Sequence, residues 1–246
     1  MSLPVHLVST LDGVARGAEV VVEGDEAHHA VAVRRLRVGE QVVLTDGAGV
    51  RVLGEVASTG KRVFTATAVS VQSVPAPAPE VVVVQALPKG DRGELAVEVL
   101  TEVGAGRIVP WAAARSVAVW KGERAVRSLA RWRATAREAA KQARRAWFPE
   151  VSDLASTADV GDLVASAELA VVLHEEASVP LASVAVPPEG RIVVVVGPEG
   201  GLTDDEVAAF VAAGAVSVRL GAEVLRTSTA GVAALGALLA RTPRWS

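Results

Sequence analysis

The sequence contains no cysteine, and only 3 % of its 246 residues are aromatic. Without cysteine, the chain can form no disulfides, no thiolate metal sites and no cysteine nucleophile. Half of the residues are nevertheless hydrophobic. The cores must therefore be built mainly from valine, alanine and leucine, and the length suits one large domain or two modest ones.

Several motifs that identify common binding or catalytic sites are also missing. The chain has no GxGxxG, no GxxxxGK[ST], no HExxH and no GxSxG. None of its four histidines, His6, His28, His29 and His174, has metal-ligand spacing. No apolar run approaches the roughly 20 residues needed to cross a bilayer, and the start MSLPVHLVST does not have the pattern of a signal peptide. We therefore expect a soluble, cytoplasmic protein without a metal.

The net charge is only −3, but the charges are unevenly distributed along the chain. Residues 115–150 carry ten Lys/Arg and three Asp/Glu, whereas residues 151–246 carry five and twelve. A strongly basic segment in an otherwise acidic chain is typical of contact with a polyanion.

Residues 1–73 are predicted to form a small β-rich domain, because Val- and Thr-rich segments alternate with Gly-containing turns. A helix-like interruption begins at Asp25 and ends by Gly39. Its Arg34, Arg35 and Arg37 form either a solvated face or a phosphate-contacting cluster. Residues 74–80, VPAPAPE, are predicted to be an extended linker.

Residues 81–246 alternate between buried strands and helices, which predicts a mostly parallel sheet covered on both faces. Its central segment is IVVVVGPEGG, residues 192–201. Five β-branched residues run into a glycine-rich turn, followed by a helix with Thr203 and Glu206 at capping-box spacing. Open α/β sheets bind ligands at such strand-to-helix turns. A turn with a purely structural role would have the same sequence pattern.

A long helix is predicted from Glu123 to Trp147, with Leu129, Trp132, Ala136, Ala140 and Ala143 on its apolar side. The opposite side is almost entirely cationic and has little glutamate to pair with it. This side is either a solvated face or a nucleic-acid contact.

Three segments in order, Ala86–Trp111, Gly197–Val207 and Leu220–Leu235, resemble the ribosomal RNA small subunit methyltransferase E family of the SPOUT superfamily. The resemblance extends to HHAVAVRRLRVGE in the first domain and to EAAKQARRAWFPEV, residues 138–151, and so covers nearly the whole chain. It implies an N-terminal PUA-like RNA-binding β-barrel and a C-terminal α/β SPOUT domain with a deep trefoil knot. It also implies a homodimer that transfers a methyl group from S-adenosyl-L-methionine to N-3 of one uridine in 16S rRNA of the small ribosomal subunit.

The same resemblance implies a cofactor pocket made of three loops. Apolar side chains could enclose an adenine there, and glycines would leave room for the ligand beside the backbone. The implied cofactor-binding residues are Leu173, His174, Gly197, Pro198, Glu199, Gly200, Gly201, Leu220, Gly221, Val224, Leu225, Arg226 and Thr227. Glu223 and Ser228 depart from the motif of many relatives, which have Arg and Glu at these places.

Arg226 is the candidate for stabilising the anion of the uridine imide. Glu199 would either accept or relay the proton or hold Arg226 in an ion pair. The candidate RNA-binding residues are Arg34, Arg35, Arg37, Arg133, Arg137, Lys141, Arg144 and Arg145. Two alternatives stay open: a non-catalytic RNA-binding module, and a SPOUT methyltransferase acting on another RNA.

Overall fold

The computed structural model describes residues 3–245, which divide into two compact units. Unit 1 comprises residues 3–76 together with Lys141–Phe148, and unit 2 comprises Pro77–Ala140 and residues 149–245. The first change of unit lies inside the proline-rich segment at residues 74–80. The return of Lys141–Phe148 to unit 1 has no counterpart in the predicted ranges, because composition follows chain order and gives no sign of it.

Unit 1 is built on a mixed five-stranded sheet. Its strands are β1 (Val5–Leu7), β2 (Glu19–Glu23), β3 (Gln41–Thr45), β4 (Val50–Thr59) and β5 (Val63–Ser73), in the order β1-β3-β4-β5-β2. Only the β1–β3 pair is parallel. Two register shifts between β4 and β5 bend the sheet around a core that includes Val42, Leu44 and Phe64.

The predicted helix between β2 and β3 forms, but it is short. Helix α1 (Gly24–His28) continues as a π-helical turn over His29–Val33, and the amide of Arg34 donates to the carbonyl of His29 at 3.0 Å. Ala27 and Ala30 are fully buried, so this turn closes one side of the core. The next residue, Arg35, has a left-handed backbone with φ of 58°.

Lys141–Phe148 is fixed to unit 1 by backbone and side-chain contacts. The amide of Gly49 donates to Ala146, that of Phe148 donates to Gly47, and the Trp147 indole donates to the carbonyl of Val74 at 2.9 Å. A Cβ on Gly49 would lie 2.6 Å from the Trp147 ring, so only glycine admits this indole. Through these contacts the segment packs against the five-stranded sheet and forms part of unit 1.

A partly buried carboxylate adds an ionic contact to the same segment. Glu26 accepts from Lys141 Nζ at 2.9 Å and lies 2.9 Å from Nδ1 of the buried His6. The Lys141 side chain is only 11 % exposed. Burial alone would raise the pKa of Glu26, but the hydrogen bonds from His6 and Lys141, with the lysine charge, outweigh it and leave that pKa below its usual value.

Unit 2 contains a seven-stranded sheet in which every pairing is parallel, as predicted. Its strands are β6 (Glu80–Ala86), β7 (Arg107–Trp111), β8 (Glu150–Val151), β9 (Leu169–Leu173), β10 (Val179–Pro180), β11 (Arg191–Val196) and β12 (Val216–Arg219), in the order β10-β12-β9-β11-β6-β7-β8. The very short strands β8 and β10 lie at the two edges and were too brief to predict from periodicity.

Five helices of unit 2 alternate with these strands: α2 (Arg92–Val103), α3 (Gly122–Gln142), α4 (Thr157–Ala165), α5 (Asp204–Ala212) and α6 (Thr227–Leu239). Val81 and Val83 belong to the core with α2, α3 and α6, whereas Val82 and Val84 belong to the core with α4 and α5. Strand β6 is therefore buried on both faces, as its run of valines predicts.

Helix α3 ends at Gln142, not at Trp147 as predicted. Arg144 has φ of 52°, which is incompatible with a continuing helix, and the following residues bond to unit 1 instead. Trp132, Ala136 and Ala140 are buried as predicted, but Ala143 lies beyond the helix and is exposed.

We expect Glu26→Gln to remove a pH-dependent part of the stability. Because the pKa of Glu26 is lowered by folding, its contribution is complete above the usual value near 4.5 and is lost as pH falls through the lowered pKa. The difference in free energy of unfolding between wild type and variant, from urea titrations, should be large at pH 7 and shrink below pH 4.5. The exposed Glu23→Gln is the control, and a difference that is constant with pH would contradict the assignment.

Candidate functional site

A cleft of about 590 Å³ opens at the carboxyl ends of β9, β11 and β12. Three loops line it: one after β9, one after β11 and one between β12 and α6. All thirteen residues named above as implied cofactor-binding residues are among its lining residues. The sheet thus brings together positions up to 54 residues apart in the chain, from Leu173 to Thr227.

The glycine-rich loop after β11 is held in a shape that side chains would obstruct. A Cβ on Gly197 would lie 3.1 Å from the Leu202 side chain, and one on Gly200 would lie 3.1 Å from both the Cβ and the carbonyl oxygen of Arg115. Gly201 has φ of 72°, a backbone that favours glycine. The loop is therefore fixed close to residue 115, and its backbone borders the cleft.

Glu206 stabilises the end of this loop through hydrogen bonds. The sequence predicted it only as a helix cap. It accepts from the amide of Thr203 at 2.9 Å and from its hydroxyl at 3.1 Å, which forms the expected capping box. Its other oxygen accepts from the amide of Ala114 at 2.8 Å. The carboxylate is 5 % exposed and so joins the loop after β7 to the start of α5.

Arg115 reinforces the same connection from the solvent side. Its Nη1 donates to the carbonyl of Leu202 at 3.0 Å and that of Gly200 at 3.4 Å. Sequence reasoning missed Arg115 because it belongs to a segment with no periodic pattern. Its long side chain reaches the cleft from the loop after β7.

The loop between β12 and α6 presents apolar side chains beside the cleft. Val224 is 74 % exposed and Leu225 is 40 % exposed, although both are hydrophobic. Apolar side chains next to a cleft are suited to covering a flat aromatic ring. Glu223, which departs from the family motif, also lines the cleft, whereas Ser228 is buried in the first turn of α6.

Arg226 is the residue immediately before α6 and is exposed at the cleft. Thr227 beside it is buried, and its hydroxyl donates to the carbonyl of Gly197. Glu199 accepts from the amide of Lys89 at 3.1 Å. In residues 3–245 no ion pair joins Glu199 to Arg226, so this carboxylate is held by the loop after β6 and not by the arginine.

The candidate RNA-binding cations differ in how they are engaged. Arg133 donates to the carbonyl of Val151 and to Asp153, each at 3.0 Å, Arg137 lies 3.7 Å from Glu138, and Lys141 is paired with Glu26 as described. Arg145 is half-buried. Arg133 and Arg137 are exposed despite these contacts, and Arg34, Arg35, Arg37 and Arg144, all in unit 1, are exposed as well.

Between residues 3 and 245, no group of three histidine or acidic side chains is arranged to hold a metal. No helix in that part of the chain is long and apolar enough to span a membrane.

Comparison with known proteins gives consistent matches over both units. Residues 75–239 match the RNA methyltransferase domain, and residues 22–68 match the RNA methyltransferase PUA domain. The ribosomal RNA small subunit methyltransferase E of Mycobacterium bovis is 49 % identical over 93 % of this chain and 89 % of its own length. The protein of the same name from Bacillus subtilis is 33 % identical over 90 % of each chain.

A solved structure extends these matches to three dimensions. Ribosomal RNA small subunit methyltransferase E from Neisseria gonorrhoeae, bound to S-adenosyl methionine, superposes with a TM-score of 0.86 at 25 % identity and covers 98 % of each chain. The fold and the two domain matches define an RNA methyltransferase that carries a PUA domain. More narrowly, the chain belongs to the ribosomal RNA small subunit methyltransferase E family, which confirms the resemblance seen in the sequence.

We expect Glu206→Ala to destabilise the protein. The change removes the helix cap at Thr203 and the acceptor of the Ala114 amide, both in partly buried hydrogen bonds, and the loss of a cap alone costs about 0.5–2 kcal/mol. Denaturant unfolding should show the loss, and the neighbouring exposed Asp205→Ala should show little change. Equal, small effects of the two substitutions would mean that Glu206 does not hold the loops together.

Proposed function

We propose that this protein transfers a methyl group from S-adenosyl-L-methionine to N-3 of a specific uridine in 16S rRNA of the small ribosomal subunit. The observation that carries the proposal is the single cleft in which three loops and the exposed Arg226 converge. The names of the relatives support rRNA as the substrate class, and the cofactor in the Neisseria structure supports the donor.

The residues that line the cleft fit this cofactor. A volume of about 590 Å³ lies in the range of ordinary ligand pockets. Gly197 and Gly200 let the loop backbone lie against Leu202 and Arg115 at the edge of the cleft, and Val224 with Leu225 offers an apolar cover for the adenine. When bound, S-adenosyl-L-methionine supplies a methyl group activated by its sulfonium charge.

The protein must activate the nucleophile, N-3 of the uridine, because a uridine imide attacks poorly until it loses its proton. The Arg226 guanidinium would stabilise the negative charge that then spreads to the uracil oxygens. Glu199 is held by Lys89 and not by Arg226, which favours a role in accepting or relaying the imide proton over a role as the partner of the arginine. Transfer would form the bond between N-3 and the methyl carbon as the sulfur–methyl bond breaks, giving methylated uridine and S-adenosyl-L-homocysteine, and Glu199 would take the imide proton.

The exposed arginines of unit 1 are the proposed RNA contacts. Arg35 and Arg144 are the two non-glycine residues with positive φ in residues 3–245, and both belong to the candidate set. Such backbone costs on the order of 1–3 kcal/mol and collects at functional sites. Lys141 is better assigned to anchoring this segment, because its amine is paired with Glu26.

A homodimer belongs to the proposal on family grounds alone. The leucines of α6, Leu235, Leu238 and Leu239, are fully buried within the single chain. Their pattern is therefore explained by the protein's own core.

The first test is methyl incorporation from labelled S-adenosyl-L-methionine into small ribosomal subunits that lack the uridine methylation. Label on that uridine would support reaction, donor and target together. A thermal shift with the cofactor but no label would keep the methyltransferase and exclude this substrate. Neither signal would favour a non-catalytic RNA-binding protein.

We expect Arg226→Ala to abolish methyl transfer while leaving RNA affinity near that of the wild type. The guanidinium acts on charge that develops in the reaction, and one such donor contributes about 10²–10³-fold in rate. Single-turnover methylation and filter binding measure the two quantities separately. Arg124→Gln, an exposed cation on α3, is the control, and loss of RNA binding by Arg226→Ala would show that the residue was misassigned.

We expect Arg35→Gly and Arg144→Gly to weaken RNA binding without destabilising the protein. Glycine relieves the positive φ, while each lost phosphate contact lowers the slope of log affinity against log salt by roughly 0.7–0.9. RNA titrations at several salt concentrations, with thermal unfolding alongside, measure both effects. Arg16→Gln, another exposed cation of unit 1, should leave the slope unchanged; unaltered slopes in the glycine variants would remove these arginines from the interface.

A further inference from the structure

Gln85 is a fully buried polar residue at the end of an otherwise apolar strand. It follows the four valines of β6 and lies in register with Val196 on β11 and Pro110 on β7. Its side chain is completely inaccessible to solvent. The next residue after Val196 is Gly197, the first residue of the glycine-rich loop, so Gln85 lies directly beneath the cleft.

The side-chain amide of Gln85 connects strand β6 to the start of α6. Its Nε2 donates to the carbonyl of Ala86 at 3.2 Å and to the carbonyl of Thr227 at 3.3 Å. The Thr227 hydroxyl in turn donates to the carbonyl of Gly197. The first residue of α6 is therefore bonded to the ends of both β6 and β11.

This connection fixes the residue on which the chemistry depends. Arg226 immediately precedes Thr227, and its carbonyl accepts from the amides of Thr229 and Ala230, each at 2.9 Å. A shift at Thr227 would move the Arg226 backbone and, with it, the end of the loop that carries Val224 and Leu225.

The arrangement is not one that stability alone would favour. Gln85 Oε1 is buried and has no hydrogen-bond partner among residues 3–245, and an unsatisfied buried acceptor costs free energy. An apolar side chain of the same length would avoid that cost in a core made of valine and leucine. The polar group therefore calls for an explanation other than packing.

We propose that Gln85 is a positioning residue, which sets the start of α6 and thereby the location of Arg226 and the cofactor loop. The proposal rests on the proposed methyl transfer for its catalytic consequence, but its structural consequence can be measured without it. Gln85 acts through Thr227 and Arg226 and does not itself line the cleft among the residues that the structure describes.

The test is Gln85→Met, which keeps the length of the side chain and removes the amide. We expect thermal stability equal to or above that of the wild type, faster hydrogen exchange of the amides at residues 227–233, and a kcat lower by about tenfold or more, since small misplacements are costly. Thr101→Val is the matched control, because Thr101 is equally buried in α2 and donates to Val97. It should leave kcat and the exchange of α6 unchanged.

The outcomes separate the two proposals. If wild-type protein methylates no RNA, the proposed function fails, and the exchange measurement still decides whether Gln85 fixes α6. If wild type is active and Gln85→Met keeps both kcat and amide protection, the positioning role is wrong. A lower melting temperature with unchanged kcat would assign Gln85 to stability alone, and Gln85→Leu provides a second apolar variant should the methionine protein not fold.

Discussion

The burial of β6 and β11 on both faces is the constraint from which the rest of unit 2 follows. A strand covered on both sides has no polar face, so its chain can meet solvent only at its ends. In a parallel sheet, the carboxyl ends of neighbouring strands share one edge. The loops after β9, β11 and β12 are consequently brought to a single place, and the tight turn at Gly197–Gly201 leaves that place open. The cleft therefore depends both on the valine-rich strands, which align the loops, and on the glycines, which allow the tight turn.

Much of this arrangement could be predicted from the sequence, because it depends on local pattern. The valine runs indicate the parallel sheet, Thr203 and Glu206 indicate the start of α5, and the ordered motifs indicate the family. The missed features depend on contacts between distant residues. The sequence pattern indicates that Glu206 caps a helix, but it does not indicate the hydrogen bond from Ala114. Likewise, Gln85 has the position of a polar residue near the end of a strand, but its bond to Thr227 is visible only in the structure. The trefoil knot stays a prediction of the resemblance.

The basic segment shows why charge counts alone are insufficient. Its cations suggest one continuous RNA-binding face, yet several of them are already engaged with the protein itself. Arg133 donates to the carbonyl of Val151 in β8, and Lys141 is paired with a partly buried carboxylate of unit 1. The helix is also shorter than its charge pattern suggests, because Arg144 adopts a backbone that ends it. A sequence records the sign of each charge, whereas the fold determines whether the charge is directed outward.

The return of Lys141–Phe148 to unit 1 bears on how such a protein can be made and altered. During synthesis, the first 76 residues leave the ribosome before the segment that supplies Trp147 against Gly49 and Lys141 against Glu26. Unit 1 therefore cannot complete its packing until more than half of the chain has been translated. For the same reason, residues 3–76 cannot be transplanted into another protein as an independent domain. The segment that completes their packing, Lys141–Phe148, begins 65 residues later in the chain.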